Sequence, residues 1–356
     1  MKFALAIDLQ RTDTSKPMTK VIDEVTELVQ LADAGGFESV WAAEHHTIEF
    51  TIGPNPFSLL LHWAHHTKSV RLGTAVVVAP YWHPIKLASE SALVDLLTGG
   101  RLEFGIGRGA YQHEFDRMAG GMPQEKGGDY MREMLPAILK LWQGDYAHDG
   151  ALWKWPSSTA VPKPLQKPYP PIWIAARDPH SFDFAIKMGA HIMSNPLSKP
   201  FGEMHVLRAK YEKAVADNPD KPKPRWMVLR RACVYERAED WRVPVESTMN
   251  YSRRFETLFK NLGGVKDGFP ELADLKALAN SVDFTPEAVR ENLVFGTPDE
   301  VVKKLKMYEA VGTDVFLYGL SFGTPHEVSK RSLELFIKEV MPHFAKAKGA
   351  RVAAAQ

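Results

Sequence analysis

Strand-like and helix-like runs alternate along this chain, strand first, in eight successive units, and that rhythm limits the fold more than any other feature. The strand runs are Lys2–Leu9, Ser39–Glu44, Arg71–Ala79, Leu102–Gly107, Ile172–Ala176, His191–Asn195, Trp226–Tyr235 and Asp314–Tyr318. Most are near-continuously apolar, as strands covered on both faces must be. Between them, Met18–Ala34 repeats Val21, Val25, Leu28, Val29 and Leu31 at helical spacing and stops at Gly35-Gly36. Further helices are predicted over Phe57–His66, Pro84–Leu97, Asp129–Trp142, Pro179–Met188, Phe201–Ala216 and Pro325–Phe344. A chain that returns from each helix to a buried strand builds parallel pairs with right-handed crossovers. The predicted class is therefore α/β, a (β/α)8 TIM barrel, with a doubly wound open sheet as the alternative.

The units are not evenly spaced. Gly120–Gly128 reads as a loop and Leu152–Pro171 as a proline-rich excursion. The main insertion, about Arg253 to Asn292, lies between strands seven and eight and is far longer than an ordinary connection. It carries Gly263-Gly264, Gly268, Phe269-Pro270 and the turn Asp283–Pro286. Extra helices packed on the barrel rim and a lid over a site both fit it. Residues 1–345 read as one barrel domain, and the Ala-rich tail 346–356 as a flexible end.

Composition narrows the function classes. A formal net charge of +1 gives no global field for nucleic acid or an anionic membrane. No apolar stretch reaches about 18 residues, so no membrane span is expected. Met1 leads straight into a strand without a secretory pattern, and the single cysteine, Cys233, sits in an apolar strand run. A reducing, cytoplasmic setting is expected. His62, His65 and His66 have helical spacing, but no cysteine or carboxylate beside them completes a metal set, and no metal is expected.

The chemistry concentrates where strands release the chain, the end of a barrel that carries active sites. Ala43-Glu44-His45-His46-Thr47 closes the second strand and brings a carboxylate and two imidazoles. Imidazole is the side chain whose ordinary pKa, about 6.5, suits proton transfer near neutrality. The segment Arg101–Tyr111 ends its strand in the same way and delivers Arg108, then Tyr111. Asp178-Pro179-His180-Ser181 starts a helix whose free N–H groups and Ser181 hydroxyl suit a phosphate, with simple capping as the alternative. Gly105–Gly109 lacks the G-x-G-x-x-G spacing of a dinucleotide site. Thr297-Pro298-Asp299-Glu300 is a capping box, structural in role.

Taken in order, these segments resemble the bacterial luciferase-like flavin monooxygenases, the luciferase alpha subunit in particular. The resemblance rests on Glu44-His45-His46, Glu49-Phe50, Gly53-x-Asn55-Pro56, Leu72–Val77, His83-Pro84 and Gly100-Arg101-Leu102-x-Phe104-Gly105-Ile106-x-Arg108-Gly109-x-Tyr111. Gly296–Glu300 and Val340-Met341-Pro342 extend it toward the C-terminus. It runs from Lys2 to about Phe344, dense between Trp41 and Tyr111 and thin between Pro196 and Asn292.

The resemblance implies a flavin-dependent monooxygenase that uses reduced FMN and dioxygen, by way of a flavin hydroperoxide, to oxygenate a small apolar organic substrate. It implies a transient flavin reductase partner and a homodimer. It also implies site residues. His45 matches the catalytic histidine, with Glu44 as a second catalytic candidate that orients a histidine or forms a salt bridge across the barrel. Arg108, Lys126 and Ser181 match phosphate-binding positions, and Tyr111 and Ala176 the cofactor's surroundings. Ala75-Val76 matches a pair where a non-prolyl cis peptide presses on the flavin ring. Gly107 replaces a cysteine and is expected to open room near the ring. Asp178 replaces a serine and is expected to turn away to cap its helix. A deazaflavin-dependent reductase or dehydrogenase of the same fold, and a non-catalytic flavin-binding protein, are the alternatives.

Overall fold

The computed structural model describes residues 1–12, 14–274, 278 and 285–345. The tail 346–356 and the turn residues Asp283 and Phe284 lie outside those residues. Eight strands close a parallel barrel: β1 Lys2–Ala6, β2 Ser39–Ala42, β3 Arg71–Thr74, β4 Leu102–Gly107, β5 Ile172–Ala175, β6 His191–Ser194, β7 Trp226–Val234 and β8 Val315–Gly319. Each pairs with its neighbours in sequence order, and β8 returns to β1 with Lys2 opposite Val315 and Ala6 opposite Gly319. The closed ring excludes the doubly wound alternative.

The crossover helices are α1 Met18–Ala34, α2 Pro56–His66, α3 Pro84–Leu97, α4 Gln112–Met118, α5 Gly127–Gln143, α6 Pro179–Lys187 and α7 Gly202–Asp217. After β7 come α8 Arg242–Phe259, α9 Pro286–Asn292 and α10 Pro298–Ala310, and α11 His326–Leu335 follows β8. The caps expected from sequence do their work. Asp178 accepts the Ser181 N–H at 3.0 Å at the start of α6, and Glu300 accepts the Thr297 N–H at 2.8 Å at the start of α10.

The structure differs from the sequence reading in several places. β1 stops at Ala6, because Leu9 leaves the ring to bridge Ile52. β3 breaks after Thr74 and resumes at Val77–Val78. α4 was not foreseen, and the proline-rich excursion begins with a hairpin strand, Lys154–Ser158, paired to Tyr146–Asp149. Among the described residues, the insertion holds the end of α8, a short hairpin (Val265–Lys266 with Phe269–Pro270) and α9, and a strand Val294–Gly296 just beyond it extends the sheet beside β7. The last helix continues beyond α11 as a π turn, Phe336–Val340, and a 3-10 turn, Met341–Phe344.

Inside the ring, Ala4, Trp41, Trp173, Met193, Met227, Val315 and Leu317 form a packed plug. Trp41 and Trp173 meet edge to face, with ring centres 5.6 Å apart. Trp173 Nε1 donates to the buried Glu103 at 2.6 Å, and Arg71 pairs with the same carboxylate. A barrel filled in this way leaves space only at the strand C-termini. No helix among the described residues is long and apolar enough to cross a membrane. Cys233 is buried, and desolvation pushes its thiol up to about 12.

Candidate active site

A cavity of about 450 Å³ opens above the plug. Residues from six strands reach it: Asp8 after β1, His45 after β2, Ala75 after β3, Asn195 after β6, Arg231 in β7 and Ser321 after β8. α8 roofs it with Tyr251, Phe255 and Phe259, so the N-terminal part of the insertion packs on the rim and covers the site.

His45 is held from behind. Its backbone N–H donates to Gly53 at 3.0 Å, and Nδ1 lies 3.1 Å from Glu114 Oε1. Tyr111 stacks on the imidazole, with ring centres 5.1 Å apart and planes 26° apart. Nε2 is left as the nitrogen able to exchange a proton with the cavity. Burial disfavours the imidazolium, but the charge and hydrogen bond of Glu114, with the charges of Asp8 and Glu44, outweigh it. The His45 pKa is raised as a result. Burial is also the main reason that the Asp8 pKa is raised, against the opposing charge of His45 and the Ala43 N–H, and that the Tyr111 phenol lies well above its ordinary value.

Glu44 does not line this cavity. It is buried behind it, where it accepts from Val78 N at 2.6 Å, Trp82 Nε1 at 2.9 Å and His46 Nε2 at 3.0 Å. Those contacts consume its acceptor capacity and tie the end of β2 to the segment after β3. The carboxylate against His45 is therefore Glu114, and Glu44 orients His46.

The expected phosphate residues gather at the C-terminal ends of β4 and β5, outside the cavity itself. The side chains of Arg108 and Lys126 form no hydrogen bond or ion pair among the described residues. Gly127, next to Lys126, packs on the Arg108 backbone so closely that an added Cβ would lie 2.1 Å from its carbonyl oxygen. Arg177, not anticipated, lies close enough for the Arg108 charge to join burial in lowering its pKa. Asp178 caps α6 as expected, and Ser181 Oγ also donates to it at 2.7 Å. The Ser181 hydroxyl is thus already engaged. The Asp178 pKa is low despite burial, because of its Ser181 bonds and the Arg108 charge.

The expected ring wall is partly as foreseen. The Ala75–Val76 peptide is cis, and Ala75 faces the cavity. Gly107 opens no room: Val76 Cγ2 fills that space, 2.6 Å from where a Cβ would stand. Ala176, just past β5, is buried and accepts the Ser194 hydroxyl at 2.8 Å.

The family model described as luciferase-like monooxygenase matches residues 1–315. The chain belongs to this family. A relative named flavin-dependent trigonelline monooxygenase, oxygenase component, from Acinetobacter baylyi is 42% identical over 348 residues, covering 98% of this chain and 97% of that protein. An alkanal monooxygenase alpha chain, a luciferase subunit, from the Kryptophanaron alfredi symbiont is 27% identical over 175 residues, 49% of this chain and 48% of that one. Among solved structures, the oxygenating constituent of 3,6-diketocamphane monooxygenase from Pseudomonas putida, in complex with FMN, superposes with a TM-score of 0.77. It is 20% identical over 96% of this chain and 98% of its own, a likeness of fold.

This luciferase-like monooxygenase is thus a flavin-dependent oxidoreductase, and its site holds residues that sequence reading passed over. Glu114 was hidden because α4 carries only a short helical signal. Arg231 had a visible one, since Arg230-Arg231 interrupts an otherwise apolar strand. Asp8 is a lone charge just beyond β1. The Glu114 contact has a consequence for pH. With Glu114→Gln the main charge that favours the imidazolium is gone, and burial, acting the other way, gains weight. His45 then loses its proton at lower pH than in the wild type. Where turnover needs the imidazolium, the basic limb of kcat/KM moves toward acid in Glu114→Gln, and steady-state rates across pH measure it. An unmoved limb would separate His45 from the titration.

Proposed function

We propose that this protein is the oxygenase component of a two-component system that takes reduced FMN from a separate reductase and uses dioxygen to oxygenate a small organic substrate. The observation that carries this reading is the pairing of a cavity-facing His45, backed by Glu114, with cations at the ends of β4 and β5 that form no ion pair among the described residues. Reduced flavin, when bound, supplies the two electrons that activate dioxygen. Arg108, Lys126 and Arg177 are the donors for its phosphate. Ala75, Val76 and Gly107 offer a smooth wall for its ring. His45 Nε2 holds or releases a proton beside the reacting atoms, and Glu114 favours the protonated form. Tyr111, Tyr251 and Phe255 keep bulk water out.

The named relative makes trigonelline the first substrate to try. The notion of a purely apolar substrate fits poorly, because Asp8 and Arg231 share the cavity. A homodimer fits the apolar outer face of α3, where Leu93, Leu96 and Leu97 are 45%, 39% and 61% exposed.

Anaerobic titration with reduced FMN and, separately, with a reduced deazaflavin tests the cofactor. Reduced FMN is expected to bind, and Arg108→Ala to weaken it by about 10- to 100-fold, the worth of one charge-assisted phosphate contact. Preferential binding of the deazaflavin would overturn the assignment.

A further inference from the structure

We infer that the substrate is a planar aromatic or heteroaromatic carboxylate, anchored by Arg231; this rests on the flavin-oxygenase reading above. Met227, Leu229 and Arg231 alternate along the inner face of β7. Met227 packs in the barrel plug with Leu229 against it, and Arg231 reaches the cavity. Besides His45, three basic side chains, Lys199, Arg231 and Lys260, line that cavity. Two are neutralised locally: Lys199 pairs with Glu203 at 3.1 Å and Lys260 with Glu256 at 2.7 Å. Among the described residues, no carboxylate lies within ion-pair distance of Arg231. Its guanidinium donates to Ser252 Oγ at 3.1 Å and lies over the Tyr251 ring, 4.4 Å from the centre.

A half-buried guanidinium without a counter-ion is costly, and its fork of N–H donors matches a carboxylate in two parallel bonds. The position rules out the cofactor phosphate as its natural partner. β7 stands opposite β3 in the ring, whereas Arg108 and Ser181 follow β4 and β5. A flavin held on the β3–β5 arc leaves the β7–β8–β1 arc to the substrate. The walls there are aromatic. Tyr251 and Phe255 lie 17° from parallel, and Phe255 meets Tyr111 edge on at 6.1 Å. Flat rings suit a flat ligand. Asp8 and His45 complete the far side, so a carboxylate on Arg231 fixes which end of the ring faces the imidazole.

The test is equilibrium binding to the full-length protein, by calorimetry. The probes are benzoate and pyridine-3-carboxylate beside their uncharged amides, benzamide and pyridine-3-carboxamide. Reduced-FMN affinity is measured anaerobically in parallel. The carboxylates are expected to bind at least about 10-fold more tightly than the amides. Arg231→Gln is expected to erase that gap while leaving reduced-FMN affinity unchanged, and Arg231→Lys to keep part of it. Amides binding as tightly as carboxylates, no binding of either carboxylate, or a gap that survives Arg231→Gln overturns the inference. If Arg231→Gln fails to fold, the wild-type ratio alone decides. Failure of reduced FMN to bind would instead sink the flavin reading, and leave the carboxylate preference to be judged on its own ratio.

Discussion

Replacing His45 with alanine is expected to lower turnover by about 10²- to 10⁴-fold, the usual worth of a positioned acid–base group, while reduced-FMN affinity stays close to wild type. The geometry separates the two effects. His45 faces the cavity, whereas the cations expected to hold the phosphate lie beyond β4 and β5. Its ring contacts are Tyr111 and Glu114, neither of which depends on the phosphate end. His45→Ala therefore removes the one imidazole with a nitrogen directed at the reacting space, and leaves the cations intact. Single-turnover product formation with preloaded reduced FMN reads the first effect, and anaerobic titration the second. Unchanged turnover would remove His45 from the mechanism. A smaller loss is expected in Glu44→Gln, because that carboxylate touches His46, Val78 and Trp82 and reaches His45 only through its charge.

The parts of the molecule written in local sequence were legible. Apolar runs gave the eight strands, and the capping residues Asp178 and Thr297 marked helix starts within a residue. Position in the barrel was legible too, since His45 and Ala75 follow directly from strand ends. What stayed hidden depends on distant pairing. Glu114 meets His45 across 69 positions of chain, and no local pattern encodes that. The fate of the Ser181 hydroxyl turned on which of two acceptors reaches it, an anion or Asp178, and composition cannot rank them. The Gly107 expectation failed for the same reason: whether a missing side chain leaves room depends on the neighbouring strand, and Val76 was already there.

Gly105→Ala is expected to destabilise the fold by roughly 3 kcal/mol or more, since overpacking against backbone cannot be relieved by a rotamer change. Between the pairs Gly73–Glu103 and Val77–Ile106, β3 takes four steps where β4 takes three. The surplus residue breaks the main-chain ladder, and Thr74 repairs it with its side chain: Oγ1 donates to Gly105 O at 2.7 Å and accepts Gly105 N–H at 2.9 Å. That repair brings the two backbones so close that a Cβ on residue 105 would lie 1.8 Å from Thr74 O and 2.9 Å from Met193 Cε. Met193 could shift, but the carbonyl is fixed between strands. Gly202→Ala is the control, because a Cβ there meets nothing within 4 Å and alanine favours the helix it opens. Urea denaturation should separate the two variants widely. The detour that Gly105 permits is also what turns Ala75 toward the cavity and seats Val76 on Gly107, so a Gly105→Ala protein that still folds should bind reduced FMN poorly. Wild-type stability together with wild-type affinity in that variant would show that the close approach of β3 and β4 plays no part in shaping the site.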